Sequence, residues 1–212
     1  RLATATSDEN GDVQFEDKWP AGTYYLRETT APVGYTAAEL TWTVKIAAGK
    51  ATISTPGGTT VTEVKNTSRL RLKLKVLGPL GEELPGAVLR VTRDNGSPML
   101  YKTNEAGAAL LEQMPAGDYI IQLAGTPTGY VPEDSAPNLK AEYGTLTCLD
   151  TANTAWQLEQ REGEEYTYLL TLELKELHIL PSTGGTGTVP FTLAGAALMA
   201  VAVLLPGRKK VK

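Results

Sequence analysis

Cysteine is almost absent from this chain: Cys148 stands alone, so no intrachain disulfide can form. Small extracellular domains often depend on such bridges, and a secreted domain without them must rest on its core or on another crosslink. Histidine is as scarce, with His178 the single one. That excludes a histidine-rich metal site and makes a Ser-His-Asp triad improbable, so neither metal nor cofactor is expected. Positive charge is outnumbered, with 20 Lys and Arg against 24 Asp and Glu and a net charge of −4. Four of those cations, Arg208, Lys209, Lys210 and Lys212, crowd the C-terminal end, so no basic patch elsewhere suggests nucleic acid. No long amphipathic helical pattern occurs before residue 189. No signal peptide is visible at Arg1.

What the chain does contain is alternation. Leu70-Arg71-Leu72-Lys73-Leu74-Lys75-Val76 places Leu on one face and charge on the other, the period of a half-buried strand. Lys73 and Lys75 are accordingly read as facing solvent. Thr23–Arg27, Thr41–Ile46, Ala51–Ser54, Thr60–Val64, Ala87–Thr92, Tyr119–Leu123 and Tyr166–Leu174 read as further strands. Asn10-Gly11, Pro56-Gly57-Gly58 and Asn95-Gly96 are turn signals between them.

The sequence also matches itself. Pro20-Ala21-Gly22-Thr23-Tyr24 aligns with Pro115-Ala116-Gly117-Asp118-Tyr119, and Pro32-Val33-Gly34-Tyr35 with Pro127-Thr128-Gly129-Tyr130, both at an offset of 95 residues. A period of that size is a domain, not a solenoid repeat. Short strands at this spacing predict tandem β-sandwiches, one over 1–67 and a divergent one over 68–178. The second is expected to carry an insertion, roughly Pro132 to Gln160, that holds Cys148 and Trp156. A lone cysteine there reads as a buried small residue. Trp19, Trp42 and Trp156 read as core residues in preference to sugar-stacking ones.

The last segment, 179–212, has three parts. Leu180-Pro181-Ser182-Thr183-Gly184 comes first. An uncharged run from Val189 to Leu205 follows, about 25 Å long as a helix and close to a bilayer core. The basic tail, 206–212, ends the chain and favours the cytoplasmic side. The pentapeptide resembles the LPxTG motif of sortase substrates in Gram-positive bacteria. That resemblance implies cleavage between Thr183 and Gly184 by a sortase cysteine. The acyl-enzyme would then be resolved by a peptidoglycan precursor or by a lysine of another pilin. The apolar span is expected as a single transmembrane helix that holds the chain until cleavage. An ordinary membrane anchor is the alternative. Export is required, so the true N-terminus is expected to lie upstream and the chain to be a C-terminal fragment.

Within 1–178, Leu84-Pro85-Gly86-Ala87-Val88-Leu89, the two Pro-Ala-Gly blocks and Tyr25-Leu26-Arg27-Glu28-Thr29-Thr30-Ala31-Pro32-Val33-Gly34-Tyr35 resemble the CnaB family of collagen adhesins and pilins. The fold implied is all-β, with tandem Ig-like sandwiches before the membrane helix. The family forms an isopeptide bond between a first-strand lysine and a last-strand asparagine, promoted by a buried glutamate. The resemblance assigns Glu28 as that catalytic glutamate and Asn66 as the acceptor. Lys18 does not match, and the matching lysine is expected before Arg1. In the second unit Leu123 occupies the glutamate position and the strand Thr167–Lys175 has no asparagine. No isopeptide bond is expected there.

The leading expectation is a cell-wall-anchored structural or adhesive stalk, not an enzyme, with sortase as its partner. A pilus subunit polymerised by sortase and the anchor region of a larger surface enzyme are the alternatives. A host matrix or carbohydrate ligand is a possible further partner.

Overall fold

The computed structural model describes residues 2–16, 18–150 and 155–178. The sorting pentapeptide, the predicted membrane helix at 189–205 and the basic tail lie outside the described residues. Among the described residues, no helix is long and apolar enough to cross a membrane. The chain divides into two compact units, Arg1–Glu176 and Leu177–Lys212, and the description below concerns the first.

Every regular element described is a strand. Five come first: β1 (Gly22–Arg27), β2 (Tyr35–Thr36), β3 (Thr41–Ala47), β4 (Lys50–Ser54) and β5 (Thr67–Ser68). They make an antiparallel sheet ordered β1-β3-β4 and a small β2-β5 ladder. Ala48 and Gly49, both with positive φ, form the two-residue turn that joins β3 to β4 with the twist of a hairpin. The register sets Leu26 opposite Trp42, Tyr24 opposite Val44 and Ile53 opposite Val44, so one face is an apolar row. Only Trp42, at 3% exposure, is fully buried; Tyr24, Leu26, Val44 and Ile53 are half-buried.

Nine strands follow: β6 (Arg71–Leu77), β7 (Val88–Arg93), β8 (Met99–Lys102), β9 (Ala108–Leu111), β10 (Gly117–Gly125), β11 (Asn138–Glu142), β12 (Thr145–Cys148), β13 (Trp156–Gln160) and β14 (Thr167–Glu173). They form two sheets, β12-β11-β10-β7-β8 and β13-β14-β6-β9, with β6 and β14 parallel. Leu72, Leu74, Val76, Leu170 and Leu172 from one sheet meet Leu89, Val91, Ile121 and Leu139 from the other in a single core. Fully burying each such side chain contributes about 1.5–3 kcal/mol, and this is what holds a disulfide-free sandwich together.

The repeat seen in the sequence is a repeat of strands. At the offset of 95, β1, β3 and β4 coincide with β10, β11 and β12. The tyrosine in each Pro-Ala-Gly-x-Tyr block donates its hydroxyl to the proline carbonyl four residues earlier, Tyr24 to Pro20 at 2.9 Å and Tyr119 to Pro115 at 2.8 Å. Two expectations change here. Most of 132–160 is no insertion, because β11 and β12 occupy it as counterparts of β3 and β4. Leu139, Ala141 and Leu146 alternate with exposed neighbours along them, as in the half-buried strands elsewhere. Thr60–Val64 is not a strand: it carries a single bridge, Ser54 to Thr60. Its start lies beside β4, with the Val61 N–H on the Ile53 carbonyl at 2.9 Å, and the pairing goes no further.

Candidate functional site

Glu28 sits one residue past the end of β1, and Asn66 one residue before β5. The β2-β5 ladder, with Tyr35 opposite Ser68 and Thr36 opposite Thr67, brings the chain back from 66 to 28. Asn66 Nδ2 donates to Glu28 Oε1 at 2.8 Å, and Ala38 N donates to Glu28 Oε2 at 2.9 Å. Both side chains are half-buried. Asn66 Oδ1 is buried with no hydrogen-bond partner. A buried acceptor left unpaired costs on the order of 1–3 kcal/mol. The two residues singled out from sequence are therefore in direct contact.

No lysine among the described residues bonds to Asn66 Oδ1. Lys18 is exposed in the segment before Pro20, and Lys65 pairs with Glu63 at 3.0 Å. In the later strands the arrangement differs. Leu123 stands opposite Leu89 and packs against the core. Lys73 and Lys75 alternate with buried Leu72, Leu74 and Val76 on the outer side of β6, and Lys75 Nζ pairs with Glu83 at 3.1 Å. Trp42 and Trp156 are buried, and the indole N–H of Trp156 donates to the Ser135 carbonyl at 3.1 Å. Trp19 is half-buried in an aromatic group with Phe15 and Tyr24, ring centroids 5.2 and 5.0 Å apart. Cys148 is half-buried, its thiol bonded to the Asp150 carbonyl at 3.3 Å. Among the described residues, no group of three or more His, Cys, Asp or Glu is placed to hold a metal.

A seam between the earlier and later strands was not legible in the sequence. Gly34 (φ +82°) and Gly144 (φ +77°) meet backbone to backbone. A Cβ on either would strike the other, and on Gly144 it would also lie 2.7 Å from the Tyr166 ring. Only glycine tolerates both the left-handed backbone and the approach. Beside it, Arg69 donates its backbone N–H to the Gly34 carbonyl at 2.8 Å. Its guanidinium lies 4.4 Å from the Tyr166 ring centroid and 3.3 Å from the Glu165 carboxylate. Gly34 carried a signal, the repeated Pro-x-Gly-Tyr block; nothing in the sequence announced Gly144 or Arg69 as its partners. At the matching Tyr130, the hydroxyl donates to Glu82 Oε1 at 2.8 Å. That bond holds the Glu82 carboxyl below its ordinary range and raises the Tyr130 phenol.

Sandwiched β-sheets followed by a sorting segment define a wall-anchored surface protein. A family model described as the SpaA prealbumin-like fold domain matches residues 1–65 and 74–154, and the chain belongs to that family. A second, the LPXTG cell wall anchor motif, matches residues 177–212. The chain is thus a sortase-anchored surface protein of Gram-positive bacteria, located at the cell wall. Sortase processing and linkage to peptidoglycan follow from the anchor motif. No curated protein matches it. Among solved structures, it is similar to a C-terminal fragment of the pilus adhesin SpaC from Lactobacillus rhamnosus GG (16% identity, 80% of this chain and 81% of that one, TM-score 0.46). It is also similar to the group B streptococcus pilus 2b backbone protein (15% identity, 83% and 78% covered, TM-score 0.43). The pilus adhesin RrgA from Streptococcus pneumoniae is a further neighbour (12% identity, 66% and 21% covered, TM-score 0.40).

Proposed function

We propose that the chain is the wall-proximal stalk of a structural surface protein, made of two modules, 1–67 and 68–178, of which the first supplies Glu28 and Asn66 to an isopeptide bond whose lysine is not among residues 1–67. The observation that carries this is the Asn66–Glu28 contact at 2.8 Å beside an unpaired, buried Asn66 Oδ1. An uncharged lysine amine presented over the inner face of β1-β3-β4 attacks Asn66 Cγ with its Nζ lone pair. A Cγ–Nζ bond forms and the Cγ–Nδ2 bond breaks. Glu28, already bonded to Nδ2, relays a lysine proton to that nitrogen, which departs as ammonia. The second module, with Leu123 in place of the glutamate and its lysines on the outer face, makes no such bond.

The chain leaves the membrane when sortase cleaves after Thr183, and peptidoglycan is the acceptor. The Gly34–Gly144 seam and the Arg69 contacts stiffen the joint between the modules, as a stalk requires.

The test is a tryptic digest of protein released from the wall. Cleavage after Lys65 and Arg69 isolates Asn66-Thr67-Ser68-Arg69. That peptide is expected branched to a lysine peptide with one ammonia lost, and free in a Glu28→Ala variant. Recovery of the wild-type peptide wholly unbranched rules the crosslink out. The C-terminal peptide of the same digest, expected to end at Thr183 on a wall cross-bridge, would make the chain a pilin if it ended on a lysine of another subunit.

A further inference from the structure

The ladder that closes the Glu28–Asn66 pair delivers a second donor to the same carboxylate. β2 and β5 are antiparallel, with Tyr35 opposite Ser68 and Thr36 opposite Thr67. Asn66 precedes β5 by one residue, and Ala38 follows β2 by two. Both therefore lie past the same end of the ladder, on neighbouring strands. Glu28 spans that end. Its Oε1 accepts from Asn66 Nδ2 at 2.8 Å, and its Oε2 accepts from the Ala38 backbone N–H at 2.9 Å. Each carboxylate oxygen has its own donor, one the reacting amide and the other fixed main chain. Glu28, Ala38 and Asn66 are all half-buried.

The second bond matters because a glutamate carboxylate turns easily. Its last torsion has a broad, roughly two-fold preference, so a bond to Asn66 alone leaves the carboxylate plane free to swing. A proton relay needs its acceptor held within hydrogen-bond reach, and a misplacement of about 1 Å can cost on the order of a hundredfold in rate. The repeat provides an internal control. Leu123 occupies the position of Glu28 and packs against the core. The Tyr35–Ser68 pair has its counterpart in the Tyr130–Glu176 bridge. Leu174, two residues before Glu176, therefore corresponds to Asn66, two residues before Ser68, and it is buried. Two leucines satisfy the fold at these places. Leucine at the glutamate position offers Glu133, the counterpart of Ala38, no carboxylate to hold. The three-part contact belongs to the first module and is not a demand of the fold.

We propose that the backbone N–H of Ala38 is the positioning group of the crosslinking reaction. It holds Oε2 so that Oε1 stays on Asn66 Nδ2, the nitrogen that receives a proton before it departs as ammonia. This role rests on the isopeptide reading above and adds what aims its glutamate. Ala38 forms and breaks no covalent bond and keeps its own proton; it acts only through Glu28. The donor is main chain, so the reaction asks for no particular side chain at position 38, only for an N–H.

The full-length protein is followed by intact mass after synthesis, with the crosslink read as the loss of one ammonia. Wild type and Ala38→Gly, which keeps the N–H, are expected to link at equal rates. Ala38→Pro, which removes the N–H, is expected to link at least about tenfold more slowly. Damage to the fold is separated by comparing Glu28→Ala with the double variant Glu28→Ala, Ala38→Pro. Neither is expected to link, so equal unfolding midpoints show that the proline leaves the fold intact. Hydrogen exchange at Ala38 tests the contact without proline. It is expected to be slower in Asn66→Ala, which keeps Glu28, than in Glu28→Ala, neither protein being linked. An Ala38→Pro protein that links as fast as wild type overturns the proposal, as does an Ala38 N–H equally protected with and without Glu28. A wild-type protein that never loses ammonia overturns the crosslink itself, and the role of Ala38 falls with it.

Discussion

On β1, β3 and β4 the inward row Tyr24, Leu26 and Val44 is half-buried; its counterpart on β10 and β11, Tyr119, Ile121 and Leu139, is fully covered. The residues are equally apolar in both rows. The difference is the second sheet: β6 and β14 lie across the later row, and β7 pairs with the free edge of β10. Among the described residues, β1 has no such neighbour. An apolar face is thus a prerequisite for a core and not a core in itself, because burial needs a facing layer.

Four measurements break or sharpen that comparison. The largest effect is expected in the core. Ile121→Ala should cost about 3 kcal/mol in denaturant unfolding, within the usual range for emptying a packed site. Leu26→Ala, at the matching position, should cost about 1 kcal/mol, since a half-exposed side chain has less to lose. Equal losses would mean that the two rows are equally covered.

Next comes the seam. Gly144→Ala meets both a left-handed backbone and the Gly34 backbone and is expected to cost at least about 2 kcal/mol. Gly163→Ala has a similar φ of +76° but open space around it, and should cost about 1 kcal/mol. Gly144→Ala should also speed tryptic cleavage at Lys65 and Arg69, whereas Gly163→Ala should not.

The tyrosine pair is smaller. Tyr119→Phe removes a hydrogen bond from a buried ring and is expected to cost about 1 kcal/mol. The same change at Tyr24, where the bond is exposed, should cost no more than a few tenths. A thermal melt of the two variants would show the gap, and equal shifts would count against the difference in burial.

The smallest effect is electrostatic. The Tyr130 hydroxyl depresses the Glu82 carboxyl. Its folded-state pKa lies below the unfolded one, so the stabilisation is present above the unfolded pKa and is lost as pH falls through the folded value. Tyr130→Phe should therefore flatten a shallow decline in stability below about pH 4.5, near the ordinary carboxylate range. An unchanged acid limb would show that this exposed bond contributes nothing.

Much of the fold could be read in advance. Alternation marked β1, β3, β4, β6, β7, β10 and β14, because side chains at i and i+2 share a face whatever lies opposite. It passed over β11, β12 and β13, whose runs are as short as that of β4 and lie in the segment read as an insertion, and it overreached at Thr60–Val64, which pairs with β4 only at its start. Of the site, Glu28 and Asn66 were legible through their family pattern. Their contact spans 38 residues and depends on the β2-β5 ladder, two residues long in each strand. No local pattern encodes that.

By itself, the sequence determined the strand-rich class, the 95-residue repeat, the absence of disulfides and the sorting segment that directs the chain to the wall. These are properties of composition and spacing, set by neighbours along the chain. Only the tertiary structure decided which apolar row is covered, that Asn66 Oδ1 is left without a donor, and that Gly34 meets Gly144. It also decided that the Ala38 N–H and the Asn66 amide share the Glu28 carboxylate. Each depends on residues far apart in sequence being brought to within a few ångströms, and burial and pairing are properties of that proximity.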